Sequence, residues 1–390
     1  MRAFITNASE DAGVVAARSL EKAGFDVYGA DMRRVPRAAR SRHLRSYTAL
    51  NRADGRERDA ELMRLIIESR ADVFVPFGTR GVLTAIRHRD ELAEHTALNI
   101  VDATAFMTAF DKLRCTAECE RLGIPYAPVF STEEALTHLE RAPTDTVLVV
   151  KPRWDVGSGS GVQYVRDRSA LAAAIKLCTE HYGGFLVQEF IPGGADAMKT
   201  VLLMFARDGR LAATFTTRKV RHWPLTGGST AASVSTHERE LVDLVLPFFE
   251  KWAWRGPAEV ELKLDARDGR HKVIEINPRF PAYMRFPWHC GLDLPTLAAR
   301  LSLGDTADDE LPRYRTGVTY VAPTLFLRTL RDDRRARGTL KALLGAARDA
   351  RRGAPVVLGM LADPLPLIFR TLSPGSPYQS FSPALIEGLT

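Results

Sequence analysis

The stretch AEVELKLDARDGRHKVIEINPRF, residues 258–280, reads as two β-strands, Ala258 to Leu264 and His271 to Ile276, joined by an Asp-Gly turn. In adjacent antiparallel strands Glu261 and Glu275 can face one another on one side of the sheet. Strand alternation then puts Asn277 on the same face as Glu275, with Arg279 next along. Two carboxylates and an amide oxygen are hard ligands suited to magnesium, and magnesium bridges the phosphates of a nucleotide. Arg279 would lie within reach of charge developing on a transferred phosphoryl group. A solvated face with a cross-strand ion pair is the plainer reading of any one of these residues. It serves the set of four less well.

Upstream, VKPRWDVGSGSGV (residues 150–162) has a strand, Val147 to Lys151, delivering Lys151 to a run of Gly157, Ser158, Gly159, Ser160 and Gly161. These side-chain-poor residues let backbone N–H groups close on phosphate oxygens. The lysine precedes the glycines, so this is not a Walker P-loop, and a surface hairpin is the competing reading. FLVQEFIPGG (residues 185–194) is an apolar strand ending in Pro and two Gly, a connector between lobes with the apolar wall and backbone groups an adenine needs. In TTRKVRHWPLTGGSTAASVS (residues 216–235), Arg218, Lys219, Arg221 and His222 precede Pro224 and the Gly227-Gly228 pair. This reads as a cationic segment with flexible breakpoints that could meet a carboxylate and close over it. A solvated hairpin end is the alternative. Beyond the metal strand, RFPAYMRFPWHCG (residues 279–291) adds Arg285, while the neighbouring His289 and Cys290 do not make a nucleophilic pair.

The first hundred residues alternate strand and helix signals, as a parallel α/β sheet does. Strands are expected at Arg2 to Thr6, Asp26 to Gly29, Asp72 to Pro76 and Leu98 to Asp102, with helices at Gly13 to Lys22 and Glu61 to Ser69. The first turn, TNASEDAG, lacks the close-approach glycines of a dinucleotide fingerprint. Farther on, helices are expected at Ala105 to Leu122, Ser169 to His181 and His237 to Trp252, and paired strands at Thr200 to Ala206 and Leu211 to Thr217.

The chain has 390 residues with a formal net charge of +7. Residues 32–47 carry six Arg and no acid, residues 321–352 carry a net +6, and the remainder sums to −5. Two separated basic patches on a mildly acidic body argue against a nucleic-acid partner. Four cysteines without a CxxC pair make neither a disulfide scaffold nor a zinc site. With no leader-like or membrane-spanning run, the composition suits the reducing cytosol, so a cytoplasmic location is expected.

Taken together these motifs resemble the ATP-grasp superfamily, in particular its carbamoyl-phosphate-synthetase-like carboxylate–amine ligase branch. The likeness spans most of residues 1–310 and includes Asp111-Lys112, the VKP strand with its glycine loop, QEFIPG and the closing IEINPR. It implies an α/β fold, α+β in the catalytic part: a Rossmann-like pre-ATP-grasp domain over 1–104, a two-lobed ATP-grasp domain over 105–320 and a basic helical extension over 321–390. The first lobe would run over 105–190 and the second, with the metal site, over 191–320. The resemblance places Lys112 and Lys151 on the adenine and phosphates of ATP. It makes Gln188, Glu189, Phe190 and Ile191 the adenine hinge and Asp196 the ribose ligand. Glu261, Glu275 and Asn277 would hold magnesium, with manganese as an alternative, and Arg279 would stabilise an acyl phosphate. The basic segment of Arg218 and Lys219 would act on the reacting carboxylate, and Arg285 on a second carboxylate or phosphate.

The reaction implied joins a small-molecule carboxylate to an amine through an acyl phosphate, releasing ADP and phosphate. Bicarbonate or a thiol as acceptor is a second reading, and a non-catalytic, membrane-associated nucleotide-binding scaffold a third. Residues 321–352 suit a cap on the catalytic domain, a contact with an anionic membrane or an acidic partner. A homodimer is compatible with the sequence.

Overall fold

The computed structural model describes residues 1–32, 35, 40–50, 55–141, 143, 146–154, 159–224, 227–337, 347–353 and 386. An N-terminal sheet holds β1 (Arg2–Ile5), β2 (Asp26–Asp31), β3 (Ser46–Ala49) and β4 (Val73–Val75), all parallel in the order β3-β2-β1-β4. Its helices are α1 (Asp11–Lys22), α2 (Arg56–Ser69), α3 (Gly78–Arg87) and α4 (Arg89–Ala93). Strand order reverses direction beside β1, which opens a crevice at the carboxyl ends of β1 and β4, the usual place for a ligand in such sheets.

Two consecutive helices follow, α5 (Ala103–Phe110) and α6 (Lys112–Leu122). A second sheet, ordered β5-β8-β6-β7, contains β5 (Val129–Phe130), β6 (Leu148–Pro152), β7 (Gln163–Val165) and β8 (Phe185–Glu189), with α7 (Thr132–Arg141) and α8 (Arg168–Tyr182) between its strands. Buried Leu148, Val150, Val187, Leu171 and Ala174 give this lobe a small core of its own.

The third sheet is antiparallel, ordered β13-β12-β9-β10-β11-β14. Its strands are β9 (Met198–Phe205), β10 (Leu211–Trp223), β11 (Ser229–Thr236), β12 (Gly256–Asp265), β13 (Arg270–Asn277) and β14 (Thr319–Val321). Helices α9 (Arg239–Lys251), α10 (Arg285–His289), α11 (Leu294–Leu303) and α12 (Pro323–Arg337) complete it. Alternation along β9 sends Val201, Leu203 and Phe205 into one core and Leu202 and Met204 into another. Both cores also contain residues of β1, so the N-terminal domain and the second lobe are packed as one mass while the first lobe stands apart.

Three expectations change. The strand expected over Leu98 to Asp102 joins no sheet beyond a single bridge from Ala97 to Val73. The Asn99 side chain instead donates to the Phe205 carbonyl at 2.8 Å, and the carbonyls of Ile100 and Val101 accept from Arg89, so the segment is held by side chains. The helix expected over Ala105 to Leu122 is broken at Asp111, whose backbone is extended (φ −80°, ψ 107°) and whose carboxylate caps α6 through the Leu113 N–H. The basic segment 216–235 is ordered hairpin on both sides of its tip, because β10 runs through to Trp223 and β11 begins at Ser229.

The described part of the basic extension packs on that hairpin as a cap. Asp332 accepts from the Trp223 indole at 2.7 Å, Asp349 pairs with Arg221 at 2.8 Å, and Phe326 is buried against Ala232 and Val321. Among the described residues, no helix is long and apolar enough to cross a membrane.

Gly256 joins the N-terminal domain to β12. It has φ +75°, and a β-carbon there would lie 2.5 Å from the Asn99 carbonyl oxygen. Gly256→Ala therefore combines a left-handed penalty with a backbone clash and is expected to destabilise the fold by about 2 kcal/mol or more. Urea denaturation checks this; an unchanged midpoint would contradict the packing.

Candidate active site

The acid face is set by register. Glu261 stands opposite Glu275 and Glu259 opposite Asn277, while Thr200 and Thr217 continue the row across β9 and β10. The two threonine hydroxyls are 2.9 Å apart, which places this row on one side of the sheet.

Four cations reach this face from different elements. Lys219 on β10 has a side chain 2% exposed, and its Nζ lies 2.9 Å from Glu261 Oε2. Lys112 begins α6 and places Nζ 3.5 Å from Glu275 Oε2. From β6, Lys151 donates to the Ile274 carbonyl at 3.1 Å. Arg279 donates to Asn277 Oδ1 at 3.3 Å and reaches Thr79 Oγ1 on α3 at 3.2 Å, so it links the acid face to the crevice of the N-terminal sheet. The backbone N–H of Lys112 bonds to the Arg153 carbonyl at 3.2 Å and Arg153 Nε meets Asp111 Oδ1 at 2.8 Å, which ties the first lobe to α6.

Sequence reading missed Glu259, although AEVELK sets it two residues before Glu261 and hence on the same face. It is buried, accepts from the Tyr283 hydroxyl, and receives Asn277 Nδ2 at 3.3 Å. Burial, reinforced by the nearby charge of Glu261, pushes its carboxyl up to about 7. Burial also drives the Lys151 ammonium down to about 8, with Lys112 adding to the shift and Glu275 opposing it.

The other expected residues take the following positions. Arg218 pairs in register with Lys199 and Val234, on the face of β10 opposite Lys219, and so points away from the acids. Arg285 is buried and held by Asp11 at the start of α1, with Nη2 at 2.7 Å and Nε at 3.1 Å, so it braces α10 against the N-terminal domain. The Gln188 side chain donates to the Ala127 carbonyl at 3.0 Å, and Glu189 pairs with Arg267. Phe190 and Ile191 lie just beyond the last ladder pair of β8; Phe190 takes Lys263 over its ring at 4.9 Å, and Ile191 is buried. Asp196 is exposed on the 3-10 turn Ala195–Ala197 that leads into β9.

Gly157 and Ser158 lie outside the described residues. Gly159 and Gly161 have φ +71° and +76°, and exposed Ser160 lies between them. A β-carbon on Gly159 would sit 3.3 Å from Gly228 Cα, so the glycine loop of the first lobe meets the hairpin tip of the second. At Gly161 packing adds to the positive φ, since a β-carbon there would strike Tyr182 and Pro152.

The donor chemistry of Glu261, Glu275 and the Asn277 amide fits a hard divalent cation. Among the described residues no group of three or more Asp, Glu, His or Cys is gathered for a metal.

Residues 109–282 match the family model of the ATP-grasp domain. They form an ATP-grasp domain. The chain is 25% identical over 214 residues to a D-aspartate ligase of Enterococcus faecium, covering 50% of this chain and 49% of that protein. It thus spans about half the length of this curated relative. Among solved structures, the biotin carboxylase domain of the Hydrogenobacter thermophilus 2-oxoglutarate carboxylase aligns with a TM-score of 0.66 at 13% identity, covering 81% of this chain and 73% of that one. An L-amino acid ligase from Bacillus licheniformis aligns with a TM-score of 0.60 at 17% identity, covering 82% and 78%. At these identities the structural likeness concerns the fold.

The buried Lys151 of this ATP-grasp domain yields a pH prediction. Its folded pKa, about 8, lies below the ordinary lysine value of 10.5, so its burial destabilises the fold fully below pH 8. That effect fades as pH rises from about 8 towards 10.5, where the unfolded chain also loses the proton. Lys151→Met should therefore stabilise the nucleotide-free protein at pH 7, with the gain shrinking by pH 10. Parallel urea titrations of the variant and the parent at both pH values check this, and a pH-independent difference would contradict it.

Proposed function

We propose that this chain is an ATP-dependent carboxylate–amine ligase, and that ATP phosphorylates a substrate carboxylate on the acid face. One carboxylate oxygen attacks the γ-phosphorus, the bond to the β-phosphate oxygen breaks, and ADP leaves. The amine nitrogen then attacks the acyl carbon, phosphate departs with the bond electrons, and the nitrogen gives up one proton, which the departing phosphate can take, leaving an amide. The observation that carries this reading is the gathering of Lys112, Lys151, Lys219 and Arg279 over Glu261, Glu275 and Asn277. Bound magnesium, held by Glu261, Glu275 and the Asn277 oxygen, would neutralise phosphate charge.

The chain's own residues orient and shield. Lys112, at the start of α6, and Lys151, on β6 of the first lobe, suit the phosphates. Lys219, 3.4 Å from the Gly228 carbonyl as well as beside Glu261, suits the charge on the transferred phosphoryl group. Arg279 spans the acid face and Thr79, the path between the nucleotide and a substrate lying in the N-terminal crevice. The glycine loop and hairpin tip meet where an acyl phosphate would need protection from water. The D-aspartate ligase relative supports an amino acid as the carboxylate.

A phosphate-release screen of acids, D- and L-aspartate among them, crossed with amines tests the reading. Release is expected only when both an acid and an amine are present, and Glu275→Gln should slow it by about a hundredfold or more. AMP and pyrophosphate as products would overturn the proposal, as would a Glu275→Gln variant of unchanged rate.

A further inference from the structure

A cavity of about 460 Å³ lies where the N-terminal domain meets the second lobe, away from the acid face. Arg89 and Thr96 line it from the N-terminal side, and Arg207 and Arg255 from the β9–β10 turn and the approach to β12. Asp90 is the only carboxylate among its lining residues, and Leu98 and Ile100 give it an apolar wall.

The hydrogen bonds around this cavity leave capacity for a ligand. Arg207 makes one long bond, to the Ser302 carbonyl at 3.4 Å, and Arg255 is exposed and makes no hydrogen bond or ion pair among the described residues. Thr96 is 7% exposed, and its buried Oγ1 has no hydrogen-bond partner. A buried hydroxyl left unpaired is unfavourable, and so are guanidinium groups facing one another across a recess. Burial lowers the pKa of Arg89 and the charge of Arg255 adds to the shift, with Asp102 and Asp90 opposing it. An anion in the cavity relieves both conditions, and the fork of a guanidinium matches phosphate or carboxylate oxygens.

We propose that this cavity is a second ligand site, separate from the ATP-grasp centre, that binds a small phosphate monoester with an apolar body. The phosphate meets Arg89, Arg207, Arg255 and the Thr96 hydroxyl, and the body lies along Leu98 and Ile100. Because the four polar groups come from both domains, the bound ester bridges the junction that Gly256 also holds closed.

Isothermal titration of the full chain with phenyl phosphate, inorganic phosphate and benzoate tests the site. Phenyl phosphate should bind, inorganic phosphate and benzoate more weakly, the first for want of the apolar body and the second because a carboxylate carries a single charge and fewer acceptor oxygens than a phosphate monoester. Arg255→Ala and Arg207→Ala, both at exposed positions, should each weaken phenyl phosphate about tenfold. Thr96→Val, which keeps the side-chain shape, should weaken it severalfold. Arg279→Ala, in the ATP-grasp centre, should leave it unchanged. The proposal is overturned if phenyl phosphate does not bind the parent chain, if the Arg207→Ala, Arg255→Ala double variant binds it as the parent does, or if Arg279→Ala abolishes binding while Arg255→Ala does not. None of these readouts uses ligase turnover, so the ligase reading stands or falls separately.

Discussion

The register between β12 and β13 is the constraint on which the rest depends. It forces Glu259, Glu261, Glu275 and Asn277 onto one face, where three carboxylates lie closer together than water alone would favour. Such a face persists only where cations or shared protons offset the repulsion, and each cation comes from a different part of the chain. Lys219 crosses from β10, Lys112 from the start of α6, Lys151 from β6 and Arg279 from beyond β13. Holding the acids thus gathers three sheets around one centre.

The packing divides the molecule differently from the chain order. Both large cores mix residues of the N-terminal sheet with residues of the antiparallel sheet, whereas the first lobe encloses a small core of its own. Polar ties connect that lobe to the rest near the site: Arg153 with Asp111, and Lys151 with the Ile274 carbonyl. Trp154, just past β6, adds an apolar tie by packing into the larger core and stacking on Phe110 with ring centroids 6.1 Å apart. The extension supports the opposite wall through Asp332 and Asp349, so its acids, rather than its many arginines, make these two contacts with the hairpin.

What was legible in the sequence was whatever depends on short periods. Alternation in AEVELK and VIEIN placed Glu261, Glu275 and Asn277 on one face, and the same rule carries Glu259 there too. Asp-Gly turns and terminal glycines fixed most of the strand and helix limits in the catalytic part. Asp111 was readable as part of a motif but not as a helix break, because an aspartate can cap a new helix as readily as it continues an old one, and Arg153 decides which. Leu98 to Asp102 has the composition of a strand. Whether such a segment finds a ladder partner is settled by Asn99, which donates to the Phe205 carbonyl, and by Arg89, which takes the segment's own Ile100 and Val101 carbonyls.

The partners of the long cationic side chains were out of reach. Arg218 and Lys219 are adjacent and alike in sequence, yet one pairs with the acids and the other faces away, because β10 continues through a segment that composition alone would make a loop. Arg285 has the chemistry of a substrate ligand and is occupied by Asp11, 274 residues away. By itself the sequence determined which residues share a strand face, since that follows from a two-residue period in the backbone. Which charge meets which, and where a cavity is left between domains, only the tertiary structure decided, because those distances depend on how separate elements pack and no local period encodes them.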